Sequence, residues 1–242
     1  MSAYEGRLIA ITGASRGIGR AAALALAAQG AHVIAIARSQ QALEDLDDEV
    51  QKAGHNALTL VPLDLKDGDG LDRLGHALYE RFKKLDGVFA NAGVLGPLSP
   101  LQAIRPHDWD QTLAVNLTAN FRLIRSFDPL LRQSDAGRFV FVTSGAAPRP
   151  KAYWGLYGAS KAGLEAMVFA YAAEAQSSSI RANLFNPGPT RTAMRKKAFP
   201  GEDPEALPTP EAVAEQAIRL LSPDYDQNGV RVDYVRAQTG VA

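Results

Sequence analysis

The sequence predicts an α/β fold in which a parallel sheet is covered by helices on both faces. Three observations predict it. Short apolar runs alternate with longer amphipathic segments from one end of the chain to the other. The composition is that of an ordinary globular protein, 46% hydrophobic and 21% charged over 242 residues. A glycine-rich turn stands between the first apolar run and the first amphipathic segment, where an open parallel sheet binds its ligands.

The elements follow in order. Residues 8–11 form a buried-strand run, and 17–29 an Ala/Leu-rich helix ended by Gly30. A second strand spans 32–37, and a helix spans 40–53 before Gly54. A third strand (57–62) precedes a helix at 70–84, and a fourth covers 85–90. Residues 107–131 make a long helical stretch with Pro129 near its end. A strand at 138–143, a helix at 156–176, a strand at 180–185, a helix at 210–221 and a strand at 230–235 complete the alternation. No repeat, linker or domain boundary interrupts it, so 1–242 is expected to be one domain. Only 186–210 departs in composition, with six prolines and a basic cluster. A lid over the substrate at about 188–209 is expected there.

Composition excludes several functions. Lys+Arg and Asp+Glu are both 26, so net charge is zero, which argues against nucleic acid or an anionic membrane surface as a partner. The chain has no cysteine, which removes disulfides, thiolate metal sites and cysteine nucleophiles. No run reaches the roughly 18 apolar residues of a membrane span. The first residues lack the pattern of a secretory signal, so the cytoplasm is the expected compartment. No two of the four histidines have metal-ligand spacing on one helix, and no metal is expected.

The turn reads Thr12, Gly13, Ala14, Ser15, Arg16, Gly17, Ile18, Gly19. Its glycines allow close backbone approach to a pyrophosphate, and the helix that follows offers free N–H groups and a positive dipole end. The same residues also read as G-x-S-x-G, the nucleophile elbow of hydrolases, with Ser15 as nucleophile. A hydrolase needs a later histidine, and the last one is His107. The nucleotide site is therefore preferred, with a serine hydrolase as the alternative. Strand two ends at Arg38, with no acid to hold ribose hydroxyls. Arg16 and Arg38 suit a 2′-phosphate, since guanidinium forks match its oxygens. NADP(H) is the preferred cofactor and NAD(H) the second candidate.

Together, the glycine turn, Asp64, the triplet Asn91, Ala92, Gly93, then Asn116, Ser144, Tyr157-x-x-x-Lys161 and Pro187-Gly188 resemble the single-domain short-chain dehydrogenases/reductases from about residue 7 to 235. The resemblance implies a Rossmann-type, doubly wound parallel sheet of about seven strands in a three-layer α/β/α sandwich. It implies interconversion of a carbonyl compound and a secondary alcohol, with a nicotinamide cofactor. It puts Asp64 and Leu65 at the adenine, Asn91, Ala92 and Gly93 beside the adenosine ribose, and Pro187, Gly188, Thr190 and Thr192 at the nicotinamide.

Tyr157 and Lys161 lie four residues apart on one helix face. A tyrosine acting near neutrality needs its pKa lowered, and a neighbouring ammonium does this. A fall from about 10 to about 7 corresponds to about 4 kcal/mol. Tyr157 is thus the expected general acid/base and Lys161 its tuner, with a ribose contact implied by the resemblance. Ser144, at a strand end, is expected to hold the substrate oxygen. Asn116 reads equally as a buried, satisfied amide or, by resemblance, as the residue that opens its helix for a proton-relaying water. Tyr153, Trp154 and Leu95 are expected to wall an apolar pocket. Arg191, Arg195, Lys196 and Lys197 are expected to form a solvated basic face, with an anionic substrate as the sharper alternative. The resemblance also implies a homodimer or homotetramer through the helices at 114–131 and 158–171. The tail 235–242 lacks the family's Asp-Gly-Gly, so a dimer is the expected minimum. A catalytically silent dinucleotide sensor is the last alternative.

Overall fold

The computed structural model describes residues 2–235; the expectation about the tail falls on 236–242, outside the described residues. Among the described residues, seven strands form one parallel sheet in the order β3-β2-β1-β4-β5-β6-β7. They are β1 (Leu8–Thr12), β2 (His32–Ala37), β3 (Thr59–Pro62), β4 (Gly87–Ala90), β5 (Arg138–Val142), β6 (Arg181–Asn186) and β7 (Arg231–Asp233). The chain winds outward from β1 to β3, returns to the centre at β4, and winds the other way to β7. The reversal between β1 and β4 opens a crevice at their carboxyl ends.

Eight α-helices accompany the described strands: α1 (Gly17–Ala27), α2 (Gln40–Lys52), α3 (Gly68–Phe82), α4 (Pro106–Leu113), α5 (Ala119–Leu131), α6 (Gly155–Glu174), α7 (Ala193–Ala198) and α8 (Pro210–Arg219). Strand side chains alternate between two cores. Ile9, Ile11, Val33, Val140 and Phe185 pack under α1, α2 and α8. Ala10, Ile34, Ile36, Phe139 and Phe141 pack under α3, α5 and α6. This is the three-layer arrangement expected, because strands buried on both faces read as continuous apolar runs.

Helix starts follow side-chain caps. Ser39, Asp67 and Thr209 accept hydrogen bonds from the amides of Ala42, Gly70 and Ala212 at 3.3, 2.8 and 3.3 Å. Asp67 therefore starts α3 at Gly68, two residues earlier than the apolar pattern suggests. The stretch expected as one helix over 107–131 is α4, a π-helical turn (Ala114–Thr118) and α5. The lid region 188–209 is partly helical: it holds α7, capped by Thr192, and a 3₁₀ turn at Pro204–Ala206.

Candidate active site

The crevice is a cavity of about 1040 Å³ at the carboxyl ends of the strands, walled by the glycine turn, the segments after β4 and β5, α6 and the segment after β6. Its floor is built by hydrogen bonds between these segments. The amides of Gly13 and Ala14 donate to the Ile36 carbonyl at 2.8 and 3.2 Å, pinning the glycine turn to β2. Asn91 Nδ2 donates to the Thr12 carbonyl at 3.0 Å, and the Ala92 amide to Thr12 Oγ1 at 3.1 Å. Gly13 has φ +68, open to few other residues, and a Cβ there would sit 2.9 Å from Asn91 Nδ2. A Cβ on Gly19 would collide with the Gly13 carbonyl and with Asn91. The glycines therefore let β1, α1 and the Asn91 strap meet.

The helix α1 opens without a side-chain cap or an acidic residue in its first turn. Its free N–H groups and positive end, with Gly13, Arg16, Gly17 and Ile18 on the cavity wall, make a cradle chemically suited to phosphate. Arg38 reaches the same wall from the end of β2. Neither Arg16 nor Arg38 has a hydrogen-bond or ion-pair partner among the described residues. Asn91, Ala92 and Gly93 line the cavity behind them, and Pro187, Gly188, Thr190 and Thr192 line it from the segment after β6.

Ser15, Gly19, Asp64, Leu65 and Asn116 are not on the wall. Asp64 closes its own turn on the Lys66 amide at 3.0 Å, and its carboxylate pairs with the Lys66 ammonium at 3.6 Å. Leu65 is buried in the core. Asn116 stands directly behind the wall and is fully buried. Its Oδ1 accepts from the Val94 amide, and its Nδ2 donates to the Val94 carbonyl, both at 2.8 Å. Nδ2 also donates to Ser160 Oγ at 3.0 Å, tying the strap to α6. Within the π-helical turn, the Asn116 carbonyl accepts from Asn120 Nδ2 at 2.9 Å.

Ser144, Tyr157 and Lys161 share the cavity wall. The Ser144 hydroxyl lies beside the Tyr157 phenol, and its Oγ accepts from the Ala146 amide at 3.2 Å. Lys161 is 3% exposed, and its Nζ donates to the Val142 carbonyl at 2.8 Å. Burial lowers the Lys161 pKa to about 8, opposed by the negative charge of Glu165. Tyr157 differs from the sequence expectation. Burial pushes its phenol above the ordinary value of 10, and the neighbouring Ser144 hydroxyl only offsets this in part. The desolvated ring disfavours phenolate, while the lysine is turned toward the Val142 carbonyl.

Sequence reasoning missed the support behind this group. Glu165, one helical turn after Lys161, accepts a hydrogen bond from Thr143 Oγ1 at 2.7 Å and pairs with Arg231 Nε at 3.1 Å. Arg231 also reaches the Ser144 carbonyl at 3.5 Å. The Lys161-x-x-x-Glu165 spacing was the available signal.

On the substrate side, Trp154 and Leu95 line the cavity as expected. Tyr153 does not: it is 61% exposed and adopts φ +71, a strained conformation for a bulky residue that faces its ring to solvent. Trp154 packs edge-on against Tyr157 at 5.9 Å and stacks on Phe199 at 5.6 Å. Two cations of the expected solvated basic face are held: Arg195 grips Glu202 through two bonds of 2.5 and 2.6 Å, and Arg191 pairs with Glu205 at 2.9 Å.

Known proteins share this architecture. An uncharacterized oxidoreductase of Escherichia coli K12, YciK, is 38% identical over 220 residues, covering 90% of this chain and 87% of its own length. Benzil reductase ((S)-benzoin forming) of Saccharomyces cerevisiae is 34% identical, covering 86% and 80%. A short chain dehydrogenase of Escherichia coli CFT073, solved in complex with NADPH, superposes with a TM-score of 0.92 at 36% identity, covering 96% of this chain and 98% of that one. The family model for short chain dehydrogenase matches residues 7–203. The chain belongs to the short chain dehydrogenase family of oxidoreductases.

Proposed function

We propose that the protein is an NADP(H)-dependent carbonyl reductase, also able to run as a secondary-alcohol dehydrogenase, with Tyr157 as general acid/base. The observation that carries this is the meeting of Ser144, Tyr157 and Lys161 on one wall of a cavity whose opposite end is a glycine cradle flanked by two unpartnered arginines.

Gly13, Ser15, Arg16, Gly17, Ile18 and Gly19 would hold the pyrophosphate, and Arg16 with Arg38 the 2′-phosphate. Asp64 and Leu65 would flank the adenine, and Asn91, Ala92 and Gly93 the adenosine ribose. Pro187, Gly188, Thr190 and Thr192, with Tyr157 and Lys161, would hold the nicotinamide end. NADPH supplies the hydride. NAD(H) is the second candidate, disfavoured by the absence of a carboxylate at the end of β2.

Ser144 holds the substrate oxygen and the Tyr157 hydroxyl at once. Tyr157 gives its proton to the alkoxide oxygen as that oxygen gains charge. A phenol kept protonated by burial suits this direction, and an alkoxide is a strong enough base to take the proton from it. Lys161, charged below about pH 8, steadies the phenolate left behind. Glu165 holds that charge on Lys161, and Asn116 fixes the strap against which the cofactor lies.

The readings left open by the sequence fare unequally. A hydrolase has no support: no described histidine lines the cavity. A silent sensor has no use for a matched Ser144, Tyr157 and Lys161. Phe121 and Phe169, 49% and 41% exposed on α5 and α6, support the homodimer or homotetramer the resemblance implies. No helix among the described residues is long and apolar enough to cross a membrane.

The test is cofactor titration followed by a carbonyl screen at the reduced-nicotinamide absorbance. NADPH is expected to bind at least about tenfold tighter than NADH, a difference of about 1.4 kcal/mol. Arg38→Ser should erase most of that preference. Equal binding of both cofactors by the unaltered protein contradicts the NADP(H) assignment.

A further inference from the structure

The cavity is charged far more one-sidedly than the chain. Net charge is zero overall, yet nine Lys and Arg side chains reach the wall against one carboxylate, Asp108. Arg105 already neutralises Asp108 through bonds of 2.7 and 3.1 Å.

The nine cations sort by partner. Lys66 is held by Asp64 and by Gln111, the latter at 2.9 Å. Arg191 and Arg195 are held by Glu205 and Glu202, and Arg195 also lies over the Phe199 ring at 3.8 Å. Lys161 is buried on the Val142 carbonyl. Arg16 and Arg38 border the glycine turn. Three remain: Arg149 and Lys151, between β5 and α6, and Lys197 on α7. They are exposed, and their side chains have no hydrogen-bond or ion-pair partner among the described residues.

These three stand on the walls that also carry Ser144, Tyr157 and Phe199. The same cavity carries the Trp154 and Phe199 stack, a flat apolar surface whose Trp154 ring packs edge-on against the Tyr157 ring. Glu202 and Glu205 fix the neighbouring arginines, and Asp203 caps the 3₁₀ turn by accepting from the Glu205 amide at 2.9 Å, so none of the three acids of this part of the segment pairs with Lys197.

From this arrangement we infer that Arg149, Lys151 and Lys197 form a subsite for an anionic group, carboxylate or phosphate, carried by a carbonyl substrate with a flat apolar body. The inference rests on the carbonyl-reductase reading and adds the substrate class. It also corrects the sequence expectation for an anionic substrate, which rested on Arg191, Arg195, Lys196 and Lys197. Two of those are ion-paired, and Lys196 is off the wall. Unpaired cations at a mouth attract anions over about a Debye length, roughly 8 Å at physiological salt, so the preference should weaken with salt.

Three acetyl arenes of similar shape test it: 4-acetylbenzoate, 4-acetylphenyl phosphate and 4-acetylbenzamide. Binding to the NADPH-loaded protein is measured by calorimetry, and kcat/KM by NADPH oxidation. At least one anion is expected to exceed the amide by about tenfold or more. The ratio should narrow in about 0.5 M NaCl. The anion arms distinguish carboxylate from phosphate. The triple variant Arg149→Gln, Lys151→Gln, Lys197→Gln should bring the anion-to-amide ratio toward one, and Lys196→Gln should leave it unchanged. Because a ratio is read, loss of folded protein cancels. Equal or absent binding of anions and amide, or a ratio that survives the triple variant, overturns the subsite. Reduction of the amide with no anion preference sinks the subsite and leaves the reductase reading standing. Tighter anion binding without turnover of any ketone supports the subsite and sinks the reductase reading.

Discussion

The two ends of the same parallel sheet both gather charged side chains, and they treat them oppositely. At the amino ends of β1, β4 and β5, polar groups close on one another. Asp86, 1% exposed, accepts from the Leu8 amide at 2.9 Å, Ser134 Oγ at 2.6 Å and Lys84 at 3.0 Å. Arg138, 4% exposed, donates to the carbonyls of Gly137, Ser179, Ser222 and Pro223. At the carboxyl ends, Lys161 is as deeply buried, yet a single carbonyl takes one of its three N–H donors. Five other cations on the cavity wall have no side-chain partner among the described residues. At the closed end the Asp86 carboxylate and the Arg138 guanidinium have several partners each, and at the open end the Lys161 ammonium has one.

The largest break in this contrast should come from Asp86→Ala. It leaves the buried Leu8 amide and Ser134 Oγ without their acceptor and removes the carboxylate beside Arg7, and should cost about 3–5 kcal/mol in urea unfolding. KM values of the folded fraction should stay put; a stability loss under about 1 kcal/mol would show the closed end is not structural. Burial raises the Asp86 pKa, but Ser134, the Leu8 amide, Lys84 and Arg7 outweigh it and hold the carboxyl below 3.8. Its contribution is therefore present above pH 3.8 and lost as pH falls through the lower folded value.

A smaller effect should appear at the open end. Burial brings Lys161 to about 8, so kcat/KM for reduction should fall as pH rises through about 8 and the ammonium loses its proton. Glu165 raises the Lys161 pKa, so Glu165→Gln should move the inflection to lower pH. An unmoved inflection would show that Glu165 serves packing only.

How much was legible follows the same division. All seven strands and both flanking helix layers could be read, because apolar runs and helical periods are long and repetitive. The π-helical turn at Ala114–Thr118 could not: inserting one residue leaves the apolar pattern of 107–131 almost unchanged. The glycine turn, Ser144, Tyr157 and Lys161 could be assigned to one site from their spacing together with the family resemblance it carries, and Gly13, Ser144, Tyr157 and Lys161 do line one cavity. The direction of the Tyr157 shift could not, since it depends on how deeply α6 sinks the ring. Trp154 and Tyr153 were expected to share one wall, and a single positive φ separates them. Arg149 and Lys151 lie in an irregular segment where no period points to a face, so their place on the wall emerges only from the fold.

The most direct test of the account is Tyr157→Phe, which removes the proton donor and keeps the ring. The variant is expected to bind NADPH as the unaltered protein does, read by nicotinamide fluorescence. Its single-turnover carbonyl reduction should fall by about a thousandfold. Retained NADPH binding with turnover within about tenfold of the unaltered protein would contradict the proton-donor role.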